Sequence, residues 1–189
     1  MRSFHRFLSV EPLEDRKTPA VQAFFAGGVL AVVGDANAND INVAAVDGEL
    51  RVTNDGVDVP IRSFGAPTLD RTRAVVVFGG AGDDTITIDA SLGAVPAALH
   101  GGAGNDALNG GDGNDLLYGD GGNDTINGGA GSDAAFGGFG NDRLDGGGAD
   151  GSRDLLVGGP GADTFVRYAG EDDLFLDFRP LQGDVIEDA

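Results

Sequence analysis

The sequence predicts an all-β fold in the form of a coil, with short parallel strands stacked into two sheets. Three observations predict it. A nine-residue pattern returns in one frame, with five contiguous units between Gly101 and Asp145. Each unit closes on three residues whose middle member is apolar, the alternation of a half-buried strand. The six residues between successive strands are too few for a crossover helix, so the chain must wind as a coil. Two units make one turn of 18 residues, and alternate units stack on opposite sides.

Composition agrees. The 189 residues suit one domain, or two small units sharing a core. Gly numbers 34 and the formal net charge is −19. Residues 1–78 carry about −2 of that charge and residues 79–189 about −17, so the acidity belongs to the Gly-rich part. Such a balance excludes nucleic acid as a partner, since no basic patch exists to meet phosphates, and favours cations. There is no Cys, hence no disulfide and no thiolate metal site. No run of 18 apolar residues is present, so no helical membrane span is expected.

Residues 1–19 read as a disordered leader closed by Pro19. Its apolar stretch, Phe4 to Val10, is broken by His5 and Arg6 and makes a poor signal peptide. Residues 20–78 read as degenerate β-coils that cap the solenoid. Turn signals stand at Gly27-Gly28 and Asp47-Gly48, and period-two apolar residues at Ile41, Val43, Leu50 and Val52. The segment Gly34–Val43 keeps a Gly-Asp turn with Asp40 and Ile41 but departs from the nine-residue spacing, and no metal is assigned to it.

Residues 79–166 hold the repeat, G-G-x-G-x-D followed by the strand. Units begin at Gly79, Gly101, Gly110, Gly119, Gly128, Gly137 and Gly158, and an insert-bearing unit lies near 146–157. The apolar positions form two ladders. One is Ile86, Leu108, Ile126, Leu144 and Phe165, and the other Leu99, Leu117, Ala135 and Leu156. Residue six is Asp84, Asp106, Asp115, Asp124, Asp133, Asp142, Asp154 and Asp163. Residue five is mostly Asn or Asp, read as tolerance of left-handed backbone. Unit 119–127 has Asp120 for its second Gly, and Ala162 replaces the usual Asn before Asp163. Unit 128–136 has Ala134 and Ala135 and thus the weakest rung, with Phe136 covering a face. Arg153 beside Asp154 is expected to weaken a site there.

One buried side chain per nine ordered residues is a small apolar gain against backbone entropy. Stacking also brings the residue-six carboxylates into columns of like charge. Ca²⁺ between stacked turns resolves both problems, because it takes six to eight hard oxygen ligands. The candidate ligands are the eight Asp carboxylates above. With them go the backbone carbonyls of Gly80, Gly82, Gly102, Gly104, Gly111, Gly113, Gly122, Gly129, Gly131, Gly138, Gly140, Gly159 and Gly161. Metal-binding free energy then becomes folding free energy.

These residues resemble the RTX family of hemolysin-type Ca²⁺-binding nonapeptide repeats, G-G-x-G-x-D-x-U-x with U apolar. The resemblance implies a right-handed parallel β-roll, Ca²⁺ between alternate repeats, secretion, and folding outside the cell. Stacking 79/101, 101/119, 119/137 and 137/158 on one side, and 110/128 and 128/149 on the other, suggests about six ions. Residues 167–189 resemble the segment that closes such repeats, with Phe175, Phe178, Val185 and Ile186 expected to cover the last rung. That segment is also a candidate type I secretion signal. "VEPLEDR", Val10–Arg16, resembles the leader of many large secreted or surface proteins of planctomycete bacteria.

No EF-hand loop, P-loop, H-E-x-x-H or G-x-S-x-G stands in the chain, and "GAGNDA" at 102–107 lacks the helix a dinucleotide site needs. His5 lies in the leader, and His100 reads as a solvated strand residue. The outward row from Thr85 and Thr87 continues as Ala107, Asn109, Thr125 and Asn127, which is no regular Thr ladder. The expected function is therefore non-catalytic. The chain reads as a secreted or surface Ca²⁺-binding module with a structural or adhesive role, and a cell-surface glycan or protein is its candidate partner. The alternative is an ancillary folding and secretion module for an extracellular enzyme encoded elsewhere. A Met-led start and a closing cap suggest a complete chain and favour the first.

Overall fold

The structure, a computed structural model, describes residues 21–148 and 150–189. The leader therefore lies outside the described residues. In chain order the strands are β1 (Gln22–Ala26), β2 (Val29–Val33), β3 (Asp40–Val46), β4 (Glu49–Asn54), β5 (Val57–Asp58), β6 (Ile61–Ser63), β7 (Ala74–Ala81), β8 (Thr85–Ile88) and β9 (Ala97–Ala103). They continue as β10 (Ala107–Asn109), β11 (Leu116–Gly121), β12 (Thr125–Asn127), β13 (Ala134–Phe139), β14 (Arg143–Asp145), β15 (Leu155–Val157), β16 (Thr164–Arg167), β17 (Leu174–Leu176) and β18 (Val185–Asp188).

From β7 onward the strands alternate between two sheets, as a two-unit coil requires. The first sheet runs β17-β15-β13-β11-β9-β7-β2-β1-β6 and the second β18-β16-β14-β12-β10-β8-β3-β4-β5. Every repeat strand pairs in parallel with the strand two units away. Ile86 lies beside Leu108, Leu108 beside Ile126, Ile126 beside Leu144 and Leu144 beside Phe165. Leu99 lies beside Leu117, Leu117 beside Ala135 and Ala135 beside Leu156. Both sequence ladders thus form the core, and all their members are buried. Ala135 is as buried as its neighbours, and the thin rung is flanked by Phe136, whose ring stacks on Tyr118 at 5.0 Å.

The N-terminal part is one coil with hairpins folded over its end. β2 and β3 continue the parallel sheets below β7 and β8. β1 with β2, β3 with β4, and β4 with β5 are antiparallel. The cause is turn chemistry. Gly27-Gly28, Asp47-Gly48 and Asp55-Gly56 all have both residues at positive φ, the two-residue hairpin geometry that reverses a strand.

The segment Gly34–Val43 is in the repeat frame after all. Asp40 pairs with Thr85 and Ile41 with Ile86, so Ile41 is the ladder residue. Asn39, not Asp40, therefore takes residue six. The degenerate glycines hid the spacing.

At the other end, Phe175 and Phe178 pack on Phe165 with centroids 5.5 and 5.9 Å away, and Ile186 pairs with Phe165 in the sheet. Val185 does not cover the rung. It is half exposed, because strand alternation turns it away from the side that Ile186 occupies.

Candidate metal centre

The residue-six carboxylates form two columns along the roll. Each Oδ1 accepts the backbone N–H of residue six in the preceding stacked turn. Along the second sheet, Asp84 accepts from Asn39 at 2.7 Å, Asp106 from Asp84 at 2.7 Å and Asp124 from Asp106 at 2.7 Å. Asp142 then accepts from Asp124 at 2.8 Å and Asp163 from Asp142 at 3.0 Å. Along the first sheet, Asp115 accepts from Ala97 at 2.6 Å, Asp133 from Asp115 at 2.7 Å and Asp154 from Asp133 at 2.8 Å. All eight predicted carboxylates therefore stand in the two columns, each reaching one turn back.

The second oxygen decides what the columns can do. The Oδ2 atoms of Asp84, Asp106, Asp115, Asp124, Asp133, Asp142 and Asp163 are buried without a hydrogen-bond partner. An ionised buried oxygen without a donor is costly, and buried charges are ordinarily paired or bound to metal. The metal-free carboxyls respond by holding their protons. Burial pushes Asp106, Asp124, Asp142 and Asp154 up to about 6, Asp115 to about 7 and Asp133 to about 8, with neighbouring acids adding to the rise. Asp84 and Asp163 rise for the same reason.

The glycines shape the space around these oxygens. At residue one the backbone is not left-handed, and Gly is needed for room. A Cβ on Gly119 would overlap the Asp124 Oδ2 and approach the Gly137 carbonyl to 2.5 Å. One on Gly79 would stand 2.5 Å from the Asp84 Oδ2 and 2.7 Å from the Gly101 carbonyl. An unpartnered carboxylate oxygen and the residue-one carbonyl of the next turn thus face the same small volume. Sequence reasoning proposed carbonyls at residues two and four. Most of those face the next turn along the axis, Gly80 toward Gly102 and Gly111 toward Gly129 for example. The residue-one carbonyls of Gly101, Gly128, Gly137 and Gly158, which sequence reasoning did not single out, are the ones that share that volume with an Asp Oδ2. Asp120, standing for a second Gly, takes that position's left-handed backbone at φ 72°.

Residue five has a different role from the one its type suggested. None of Asn105, Asn114, Asn123 and Asn141 is left-handed. Instead their side-chain oxygens reach one turn forward. Asn123 N–H donates to Asn105 Oδ1 at 2.8 Å, Asn141 to Asn123 at 2.7 Å and Ala162 to Asn141 at 2.8 Å. Ser132 N–H donates to Asn114 Oδ1 at 3.0 Å. Ala162 ends that row and only donates, so its lack of a polar side chain breaks no bond in the row.

Two further acids extend the columns. Asp173 Oδ1 accepts from Asp154 N–H, and Asp184 Oδ1 from Asp163 N–H, both at 3.0 Å. Asp184 also accepts from Arg179 N–H through its other oxygen at 2.6 Å, so both its oxygens are bonded within the protein. The signal was present in the closing G-D-x-I, where the Asp precedes an apolar residue by two as in the repeats. Arg153 forms an exposed pair with Asp172 at 3.5 Å.

Among the described residues no three Asp, Glu, His or Cys side chains gather as a ligand group. A cation between turns would take at most a pair of carboxylates, with backbone carbonyls completing its shell. That donor set is all hard oxygen, which fits Ca²⁺. Concavities near 470 and 620 Å³ lie elsewhere, among the N-terminal hairpins.

The family model of the RTX calcium-binding nonapeptide repeat matches four times, over residues 74–89, 100–135, 118–151 and 136–174. These turns are RTX calcium-binding repeats. RTX repeats bind calcium, and here they build a parallel β-roll. No curated protein and no solved structure gives a match. Among the described residues no helix is long and apolar enough to cross a membrane.

Proposed function

We propose that the chain is a secreted or cell-surface protein whose RTX roll folds as Ca²⁺ enters between stacked turns, in a structural or adhesive role. The observation that carries this reading is the row of buried, unpartnered Asp Oδ2 atoms. In the metal-free chain those oxygens oppose folding, through burial and through mutual repulsion within each column. Ca²⁺ supplies the missing charge and binds the same oxygens, so its binding free energy adds to folding.

The ligands we assign are Asp84, Asp106, Asp115, Asp124, Asp133, Asp142, Asp154 and Asp163, with backbone carbonyls at residues one, two and four of the turns. Six gaps between stacked turns are flanked by two of these acids, which gives about six ions. Asp184 adds little, because both its oxygens are already bonded. Extracellular Ca²⁺ modules bind at about 10⁻⁴–10⁻³ M, which keeps the roll unfolded inside a cell and folded outside.

Far-UV circular dichroism during Ca²⁺ titration, beside equilibrium dialysis, tests the reading. We expect β-structure to grow over the millimolar range, to be reversed by chelator, and to accompany about six bound ions. A chain already rich in β-structure that ignores both Ca²⁺ and chelator would sink the proposal.

A further inference from the structure

The two sheets of the roll present opposite outer surfaces. On the second sheet the outward residues are mostly polar, among them Thr85, Asn109, Asn127, Arg143 and Glu187, with Ala107 and Val185 as apolar exceptions. On the first sheet they form two columns that cross seven strands, from β2 to β17, and none is Asp, Glu, Lys or Arg. One column contains Phe78, His100, Tyr118, Phe136, Val157 and Leu176 in successive register. The first four rings stack at 5.0, 4.7 and 5.0 Å, within 15° of coplanar. The parallel column ends in Leu155 and Leu174. Phe78 is 43% exposed, Leu174 48% and Leu176 51%.

We propose that this face is a dimer interface, on which two copies of the chain pack first sheet against first sheet about a two-fold axis. Seven strands at about 4.8 Å, three residues wide, present roughly 500–700 Å² of accessible surface, at or above the largest apolar patch of a typical monomer. A pair of copies would bury roughly 1,000–1,400 Å², at the lower bound of specific interfaces. The columns are ridges of one spacing in both copies, so the face is complementary to itself, as an isologous contact requires.

Charge points the same way. Within strands β2 to β17 of the first sheet one acid, Asp120 in β11, borders the columns, its carboxylate 3.6 Å from His100 Nδ1, and the other acids lie on the turns and the other sheet, so this pairing meets charge only at its edge and turns the acidic surfaces outward. A basic partner would find a single acid, Asp120, at the edge of these columns, where it already faces His100. A sugar would find no free ring face, because the ladder rings stack on one another and show their edges.

The inference goes beyond calcium binding and needs only the folded roll. Sedimentation equilibrium of the full Ca²⁺-replete chain tests it, over about 1–200 μM in about 0.15 M salt, where charge repulsion is screened. The expected result is reversible association from 19.1 kDa to twice that mass. The dissociation constant should be on the order of 10 μM and tighten with salt. Tyr118→Lys and Leu155→Lys, made separately, should each weaken association at least about ten-fold, with unchanged circular dichroism. Thr85→Lys, on the opposite sheet, should leave it unchanged. A wild-type chain that remains monomeric at the highest concentration overturns the proposal. So does a folded variant pair with undiminished association, or a monomer that binds phosphatidylcholine vesicles through this face instead.

Discussion

Acidifying the metal-free protein from pH 8 to pH 5 should drive it toward the folded roll, the reverse of ordinary acid denaturation. In the folded chain, burial raises Asp106, Asp124, Asp142 and Asp154 to about 6, Asp115 to about 7 and Asp133 to about 8. An unfolded Asp titrates near 3.9. The folded state therefore holds protons that the unfolded state has released. Stability from these groups is complete below about pH 4 and is lost as pH rises through each raised value. At about 1.4 kcal/mol per pH unit, the six carboxyls together regain on the order of 12 kcal/mol between pH 8 and pH 5. That matches the whole stability of a typical domain. The assay is far-UV circular dichroism with hydrodynamic radius on chelator-treated protein, held above the isoelectric point near 4.1. Salt at about 0.5 M removes general charge repulsion and leaves the buried contribution. Loss of β-structure between pH 8 and pH 5 would refute the reasoning. So would an unchanged pH response in the Asp115→Asn, Asp133→Asn double variant, whose two most raised carboxyls are gone.

Three substitutions, two of them paired with a control, probe the turn and the ladder separately. Gly119→Ala should raise the Ca²⁺ midpoint strongly or abolish folding, because its Cβ meets the Asp124 Oδ2 and the Gly137 carbonyl. Gly148→Ala, with open space around it, should leave the midpoint where it is. Asn123→Ala removes the acceptor for Asn141 N–H and should cost about 1 kcal/mol in urea unfolding of the Ca²⁺-bound protein, while Asn123→Asp restores it, since Asp83 accepts from Asn105 N–H in the same way two rungs earlier. Leu144→Ala opens a cavity in a fully buried rung and should cost about 2–5 kcal/mol by the same measurement.

The repeat made the core legible residue by residue. With a period of nine and two units per turn, Ile86 could only face Leu108, and the pairing follows that arithmetic. The Asp columns followed from the same frame. What the frame concealed were features that depend on which side of the roll a unit lies. The apolar outer face appears only when outward residues are read in every second unit, since the intervening units contribute Thr and Asn. Residue five was misread because Asn is common both in left-handed turns and as a side-chain acceptor, and only the neighbouring turn shows which applies. Gly34–Asn39 was misplaced because Asp35 and Asn37 stand where the motif has Gly, although the ladder residue Ile41 kept its interval.

Those misread residues explain how the stack holds its register. Residue six reaches back to one neighbour and residue five reaches forward to the other, so each inner turn is clamped from both sides. Such a stack stands or falls with its neighbours, and its ends need special residues. Asn39 fits the first rung because nothing below it asks for a carboxylate. Its amide donates to Asp84 Oδ1 at 3.1 Å, a neutral contact at the edge of the charged column. Asp184 closes the other end by turning its free oxygen onto Arg179 N–H. The column thus ends where the protein itself can satisfy the last carboxylate. Every inner Asp but Asp154 leaves one buried oxygen unbonded, and this interior stretch is where we propose that the cation enters.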